Sequence, residues 1–482
     1  MALPRLLFVN EKTSPSTDPS VITDLKLDLV LPKDVTDVLI LAPDRDAILK
    51  RREAFSLLLA DPEAEKRLCD LLSDMSEAEE LYRAMTAALS ENTAAYVFAH
   101  LVVKIGALCR SAEKMKGYGF LFERFSGVFS ELSGKAEFKE ACEKAEALCI
   151  RLKECASVVI RTDGESAVIS SGENEGMAAA LRRCAEELDV PITERAVTKI
   201  TLQRAIADAC GRVYPEVFAE AVELLGNYRS TVTGEIFDYL PELKFVSETV
   251  KFTKRAALAG LPYCFPELSD ERCIDLKNVY DITLLKKEGT VIVPNDVSFS
   301  EGEPFFYLTG ANGGGKTTYI RTVGGAMLMF LAGAPVFCEG GRASVLSAVY
   351  AHFPRDERFE GTGRFLDEKN RVDAILAAQD GNALVLLNET FATTGEEKAV
   401  TETDILAKTL LRSGNFGLYI THQHDVAEAE IPFLGVTVDE LDSNRRTYKI
   451  EKRRLPPRSF AKDILGKYGL DRETLMKRFS ER

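Results

Sequence analysis

"GANGGGKTT", residues 310 to 318, decides how the rest of this chain is read. Glycine weakens any regular element, so a run this rich in it implies a backbone path that other residues cannot follow. Gly310, Gly315, Lys316 and Thr317 fit G-x-x-x-x-G-K-[ST], the spacing of a phosphate-binding loop. "PFFYLT" before it reads as a strand and "TYIRTVGGAMLMFLAG" after it as a helix, the context that gives the pattern meaning. In such a loop the backbone N–H groups of Gly310, Ala311, Asn312, Gly313, Gly314 and Gly315 turn inward on an anion, and the helix N-terminus adds its positive dipole end. Lys316 is expected to reach the β- and γ-phosphates of ATP, with Thr317 ligating Mg²⁺ and Thr318 completing the nucleotide-binding set.

A phosphate loop that supports hydrolysis needs a carboxylate near the γ-phosphate. "ALVLLNET", residues 383 to 390, supplies an apolar strand ending in Asn388 and Glu389. An apolar strand with a polar end is commonly no more than that. Downstream of a phosphate loop it reads as the strand that carries the general base or water-positioning group, Glu389. "GLYITHQHD", residues 417 to 425, is a third such strand. Its His422 can hydrogen-bond a γ-phosphate or the attacking water, with His424 the competing choice two residues further from the strand.

Composition sets the frame for these motifs. With 482 residues the chain has room for about three domains, and 46% hydrophobic against 28% charged residues is an ordinary globular mixture. A net charge of −14 excludes a uniformly basic nucleic-acid coat and leaves room for a local basic face. Ten cysteines and four histidines include no Cys-x-x-Cys pair, and Cys142, Cys149 and Cys155 recur at roughly helical spacing. That pattern reads as small buried hydrophobes in a reducing, cytoplasmic compartment rather than as disulfides or metal ligands. The N-terminus lacks a signal-peptide pattern, and no apolar run is expected to span a membrane.

Along the chain, residues 1–45 mix short β-like runs such as "LKLDLVLP" with Ser/Pro/Asp turns. Residues 46–265 are predicted to be mainly helical, with Asp61 as N-cap and Pro62 as first helical residue of one helix. Asp163-Gly164 marks a small hairpin at 157–171. "LPYCFPELSD", with two prolines, marks a boundary. From about 266 to 455 strand-like and helix-like segments alternate as in an α/β domain, and 456–482 reads as a closing helical segment.

Together these residues resemble the MutS family of ABC-type ATPases. The family's loop, near "GPNMGGKST", is matched at Gly310, Asn312, Gly314, Gly315, Lys316 and Thr317. "ALVLLNETFATT" and "ITH" are similar to its strand-plus-acid motif and its histidine switch. The helices of 46–265 look like the family's core and lever, and "SFAKDILGKYGLDRETLMKR" like its closing dimerisation segment. The resemblance implies an α/β P-loop (ABC-type) ATPase domain preceded by a helical core and lever domain, with no visible counterpart of the mismatch-reading domain.

Three positions depart from the family. In "GTGRFLDEKNR" Gly363 stands where the signature loop has serine, while Phe365 and Glu368 are kept. Asn388 replaces the usual aspartate near Mg²⁺, so the metal set is Thr317 and Asn388, the latter through water. Ile292, before "PND", stands near the place of a purine-stacking aromatic. The implied function is an ATPase whose homodimer clamps mismatched, branched or joined DNA in repair or recombination, recognising structure rather than sequence. The rival expectations are an ATP-regulated protein-interaction switch that never touches DNA, and a protein that binds ATP with little turnover.

Overall fold

A computed structural model describes residues 16–155, 158–162, 167–171, 210–286, 291–310, 312–354, 364–378, 380–390, 396–421, 431–438 and 446–452. They fall into two compact units, one within Ala60–Ser247 and one that joins the residues up to Leu59 with those from Glu248 onward. This differs from the division expected at 46 and 265.

The N-terminal segment explains part of the difference. It carries helices α1 (Ser20–Asp24), α2 (Lys33–Leu39) and α3 (Arg45–Ala60), with a 3₁₀ turn at Leu27–Leu29. The β-like reading of "LKLDLVLP" is therefore corrected. Three of its four leucines are buried by packing instead, Leu25, Leu27 and Leu31 each being at most 4% exposed, while Leu29 on the other side of the turn is exposed. A β-carbon on Gly324 would meet Leu25 Cδ1 at 2.7 Å, so the glycine makes room for that leucine. Buried Arg51 of α3 donates to the carbonyl of Ala332 at 3.1 Å.

The helical unit contains α4 (Pro62–Thr86), α5 (Glu91–Glu113), α6 (Phe120–Gly134), α7 (Ala136–Cys155) and α8 (Pro215–Tyr228). Asp61 caps α4 as expected, its carboxylate accepting from Glu63 N at 2.9 Å, with Pro62 in the first turn. Helix α5 packs against α4, α6, α7 and α8, so Phe98, Leu101, Val102, Ile105 and Leu108 are all fully buried. Over an 18-residue window α5 has a mean hydropathy of 1.3 and is long enough to cross a bilayer. That corrects the expectation that no run would qualify; its four-sided packing is what makes it so apolar. On the α4 side, Lys104 bonds Asp74 at 2.7 Å and Glu77 at 2.8 Å. The expected hairpin exists, with β1 (Val158–Thr162) antiparallel to β2 (Ala167–Ser171). The chain leaves this unit through α9 (Leu240–Leu258).

The second unit is built on two sheets. One has the order β3 (Glu267–Ser269), β7 (Gly340–Ser344), β4 (Cys273–Val279), β5 (Asn295–Ser300). The other runs β12 (Arg446–Lys452), β11 (Phe433–Val438), β6 (Phe305–Thr309), β10 (Phe416–Ile420), β9 (Ala383–Asn388), β8 (Ala348–His352). Its five strands from β11 to β8 are parallel, and β12 closes the edge antiparallel to β11. Every residue of β6, β8, β9 and β10 is buried, as expected of parallel strands covered on both faces. Helices α10 (Lys316–Leu331), α11 (Arg364–Ala378) and α12 (Glu396–Arg412) complete the α/β layers. Among the described cysteine side chains none forms a disulfide, and the Cys264 and Cys338 sulfurs approach to 3.3 Å.

Asp24, at the end of α1, pairs with Arg371 of α11 at 2.5 Å, the carboxylate side chain being 3% exposed and the guanidinium 19%. Removing one partner of such a pair leaves the other charge poorly solvated. Asp24→Ala is therefore expected to lower unfolding stability by about 3 kcal/mol, read from a urea transition, whereas the exposed Lys33–Asp37 pair can be broken with less than about 1 kcal/mol of loss.

Candidate functional site

The site is assembled at the carboxyl edge of the parallel sheet. Leu308 of β6, Ile420 of β10 and Asn388 of β9 lie in register across three adjacent strands. Just beyond them the ladder continues in the loops, with Thr421 N donating to Leu308 O at 3.1 Å and Glu389 N to Ile420 O at 3.0 Å. The glycine-rich loop, the Asn388-Glu389 pair and Thr421 thus leave the sheet along one line, the crevice where parallel α/β sheets bind ligands.

The loop's glycines are required by geometry. Gly310 has φ 139°, and a β-carbon there would stand 2.9 Å from Val436 Cγ2 on β11. Gly313 and Gly315 take φ 73° and 97°, a region that disfavours side chains. Gly315 is the N-cap of α10, which has no side-chain cap and no acidic residue in its first turn. Its first-turn N–H groups and dipole are therefore directed at the loop without a carboxylate in that turn to compete. Lys316 is 5% exposed and donates to Gly310 O at 2.8 Å and to Asn312 Oδ1 at 3.3 Å. Burial holds its ammonium below the usual lysine range, Glu389 pulls the other way, and the positive charge of Arg446 lowers it further. Thr317 and Thr318 follow in the first turn, both half-buried.

Glu389 has φ 49°, a left-handed conformation rare for a side chain of its size. Its neighbours explain why it holds. Thr390 Oγ1 meets His352 Nδ1 at 3.0 Å, and Thr390 O accepts from the Tyr419 hydroxyl at 2.9 Å, which meets Thr403 Oγ1 at 3.1 Å. His352, Thr390, Thr403 and Tyr419 are all at most 2% exposed. The turn that presents Glu389 is thus anchored from beneath by a hydrogen-bonded network over three strands and a helix.

Asn388 is 9% exposed and its side-chain oxygen is buried without a hydrogen-bond partner among the described residues. A buried acceptor left open costs about 1–3 kcal/mol unless something donates to it. A water of a hydrated cation is such a donor, so the residues present fit Mg²⁺ held by Thr317, by Asn388 through water and by phosphate oxygens. Among the described residues no three His, Cys, Asp or Glu side chains converge as an all-protein metal cage.

Of the residues anticipated from sequence, Gly310, Asn312, Gly313, Gly314, Gly315, Lys316, Thr317, Thr318, Asn388 and Glu389 lie at this edge. Ala311, Gly363, His422 and His424 lie outside the described residues, as do the side chains of Phe365 and Glu368. The network of His352, Thr390 and Tyr419, and the charge of Arg446, were not anticipated, because no local pattern links residues so far apart.

Residues 306–454 match the family model MutS domain V. The DNA mismatch repair protein MSH2 of Arabidopsis thaliana is 30% identical over 174 residues, 35% of this chain and 19% of the relative. The Drosophila melanogaster DNA mismatch repair protein spellchecker 1 is 29% identical over 192 residues, 39% and 21% of the two chains. Endonuclease MutS2 of Streptococcus thermophilus is 27% identical over 212 residues, 43% and 26%. The similarity thus spans about a quarter or less of each relative's length.

Thr390→Val tests the anchor beneath Glu389. It removes the hydroxyl that meets His352 while keeping volume, and is expected to cost about 1–3 kcal/mol in a denaturant titration. An unchanged midpoint would mean that the hydroxyl contributes nothing to the fold.

Proposed function

We propose that this chain, whose residues 306–454 match MutS domain V, acts as a MutS-type protein that binds and hydrolyses ATP to control a grip on DNA. The observation that carries the reading is the uncapped N-terminus of α10 beneath a loop with three positive-φ glycines and a buried lysine. That combination accommodates a polyphosphate chain and little else.

In this mechanism the loop amides from Gly310 to Gly315 bind the phosphates, and the Lys316 ammonium exchanges Gly310 O and Asn312 Oδ1 for phosphate oxygens. Thr317 and, through water, Asn388 would hold Mg²⁺, which when bound would neutralise phosphate charge. Glu389, fixed by its strained turn, orients the attacking water and accepts its proton. His422 senses the γ-phosphate, and Gly363 of a second copy completes the site through a backbone N–H. Two chains would then close over two nucleotides and reopen after hydrolysis, a population shift driven by differential affinity for the γ-phosphate.

The names of the relatives support a place in mismatch repair or recombination, in a compartment that holds DNA. The ligand proposed is mismatched, branched or joined duplex, read by structure. A second reading, an ATP-regulated protein-interaction switch, is favoured by the net charge of −14, which opposes approach to a polyanion.

Gel shifts with homoduplex, mismatched duplex and four-way junction, with and without ATP, separate the two. A DNA clamp retains at least one of these at low salt and loses it steeply as salt rises, whereas a protein switch retains none. Lys316→Ala is expected to abolish ATP binding. Glu389→Gln is expected to keep ATP binding, lower turnover at least 100-fold by analogy with loss of other positioned acid–base groups, and accumulate ATP-bound dimers. Unchanged turnover would remove Glu389 from its role. Asn388→Asp is expected to raise Mg²⁺ affinity in an activity titration; an unaltered Mg²⁺ midpoint would take Asn388 out of the metal's surroundings.

A further inference from the structure

We propose that Cys264 and Cys338 form a paired oxidation site, which hydrogen peroxide converts to a reversible disulfide.

The two thiols come from distant stretches of sequence and are brought together by the backbone. Cys264 lies in "LPYCFPEL", between α9 and β3, and Cys338 lies between α10 and β7, 74 residues on. Cys264 N donates to Val336 O and Val336 N to Cys264 O, each at 2.9 Å, an isolated antiparallel bridge. On either side of Cys338, Phe337 O accepts from Tyr280 N at 2.9 Å and Glu339 N donates to Lys277 O at 3.0 Å. The Phe337 ring also packs edge-on against Phe252, with centroids 5.6 Å apart. Both cysteine backbones are thus fixed before any reaction, with the sulfurs 3.3 Å apart. A disulfide bond of about 2.05 Å asks them to close by only about 1.2 Å.

The pair is asymmetric, which suits one sulfur to attack and the other to resolve. Cys264 is half-buried, whereas Cys338 is fully buried. Arg52 of α3 lies near Cys264. Its Nη1 donates to Pro266 O at 2.7 Å, and its guanidinium stands 4.9 Å over the Phe330 ring. Its Nε and Nη2 are buried with no hydrogen-bond partner among the described residues. Two open donors on a buried cation favour an anionic sulfur nearby and the oxygen that oxidation adds to it.

The thiols differ accordingly. The hydrogen bond with the Cys338 thiol holds Cys264 below its ordinary range, and the Arg52 charge acts with it against burial. Cys338 is pushed upward by the same bond and by burial. Elsewhere burial pushes Cys109 up to about 12, and Cys142 and Cys149 up to about 11, which keeps those thiols protonated and unreactive.

The chemistry balances within the pair and one peroxide. The Cys264 thiolate attacks one peroxide oxygen, the O–O bond breaks, and the departing hydroxide takes a proton to leave as water, so that Cys264 becomes a sulfenic acid. Cys338 then loses its proton and attacks the Cys264 sulfur, the S–O bond breaks, and a second water leaves. The two thiols give up two electrons, and the peroxide receives them.

The test treats the reduced full chain with hydrogen peroxide, blocks remaining thiols and maps peptides by mass spectrometry without reduction. A peptide joining Cys264 to Cys338 is expected as the first product, lost on adding dithiothreitol. Cys338→Ser is expected to stop at the Cys264 sulfenic acid, captured by dimedone, and Arg52→Met to slow its formation several-fold. Oxidation of Cys69 or Cys142, also half-buried, while Cys264 and Cys338 stay reduced would overturn the proposal. Dimedone labelling of Cys338→Ser that spares Cys264 would do the same. The crosslink in the parent chain needs no variant, so that result holds whether or not the substituted proteins fold.

Discussion

The second unit is arranged around one constraint, a chain reversal between β6 and α10 that places a lysine ammonium out of water. Lys316 is buried against the carbonyl of Gly310 and the amide of Asn312, and a buried cation is tolerated only where such polar groups surround it. That demand fixes the glycines, since Val436 leaves no space for a side chain at Gly310. It also fixes the strand order, because β10 and β11 must flank β6 to supply the walls of the crevice.

From this point the remaining parts follow as supports. β9 lies one strand beyond β10, so Asn388 and Glu389 emerge beside the loop rather than behind it. The His352, Thr390 and Tyr419 contacts hold the strained Glu389 turn. The Asp24–Arg371 pair ties α1 to α11, and α11 directly follows the stretch containing Gly363.

Much of this was legible in the sequence for a physical reason. The loop, the two apolar strands with polar ends, the α4 cap and the hairpin are local patterns, and local backbone chemistry dictates them. What was not legible depends on contacts between distant residues. "LKLDLVLP" alternates like a strand, but it folds as short helical turns that bury three of its four leucines, Leu25 against Gly324. Helix α5 is largely apolar because four helices pack against it, a context invisible to a hydropathy window. Cys264 and Cys338 carry no motif at all; only the bridge between Cys264 and Val336 brings their sulfurs together.

The loop chemistry also bounds what the departures mean. In the proposed mechanism Asn388 would offer the cation an uncharged oxygen in place of a carboxylate, and that oxygen has no hydrogen-bond partner among the described residues. Calorimetric titration of the full chain with ATP and Mg²⁺ tests the central claim most directly. Saturable heat at one nucleotide per chain is predicted; a folded protein giving no heat at millimolar nucleotide would contradict it.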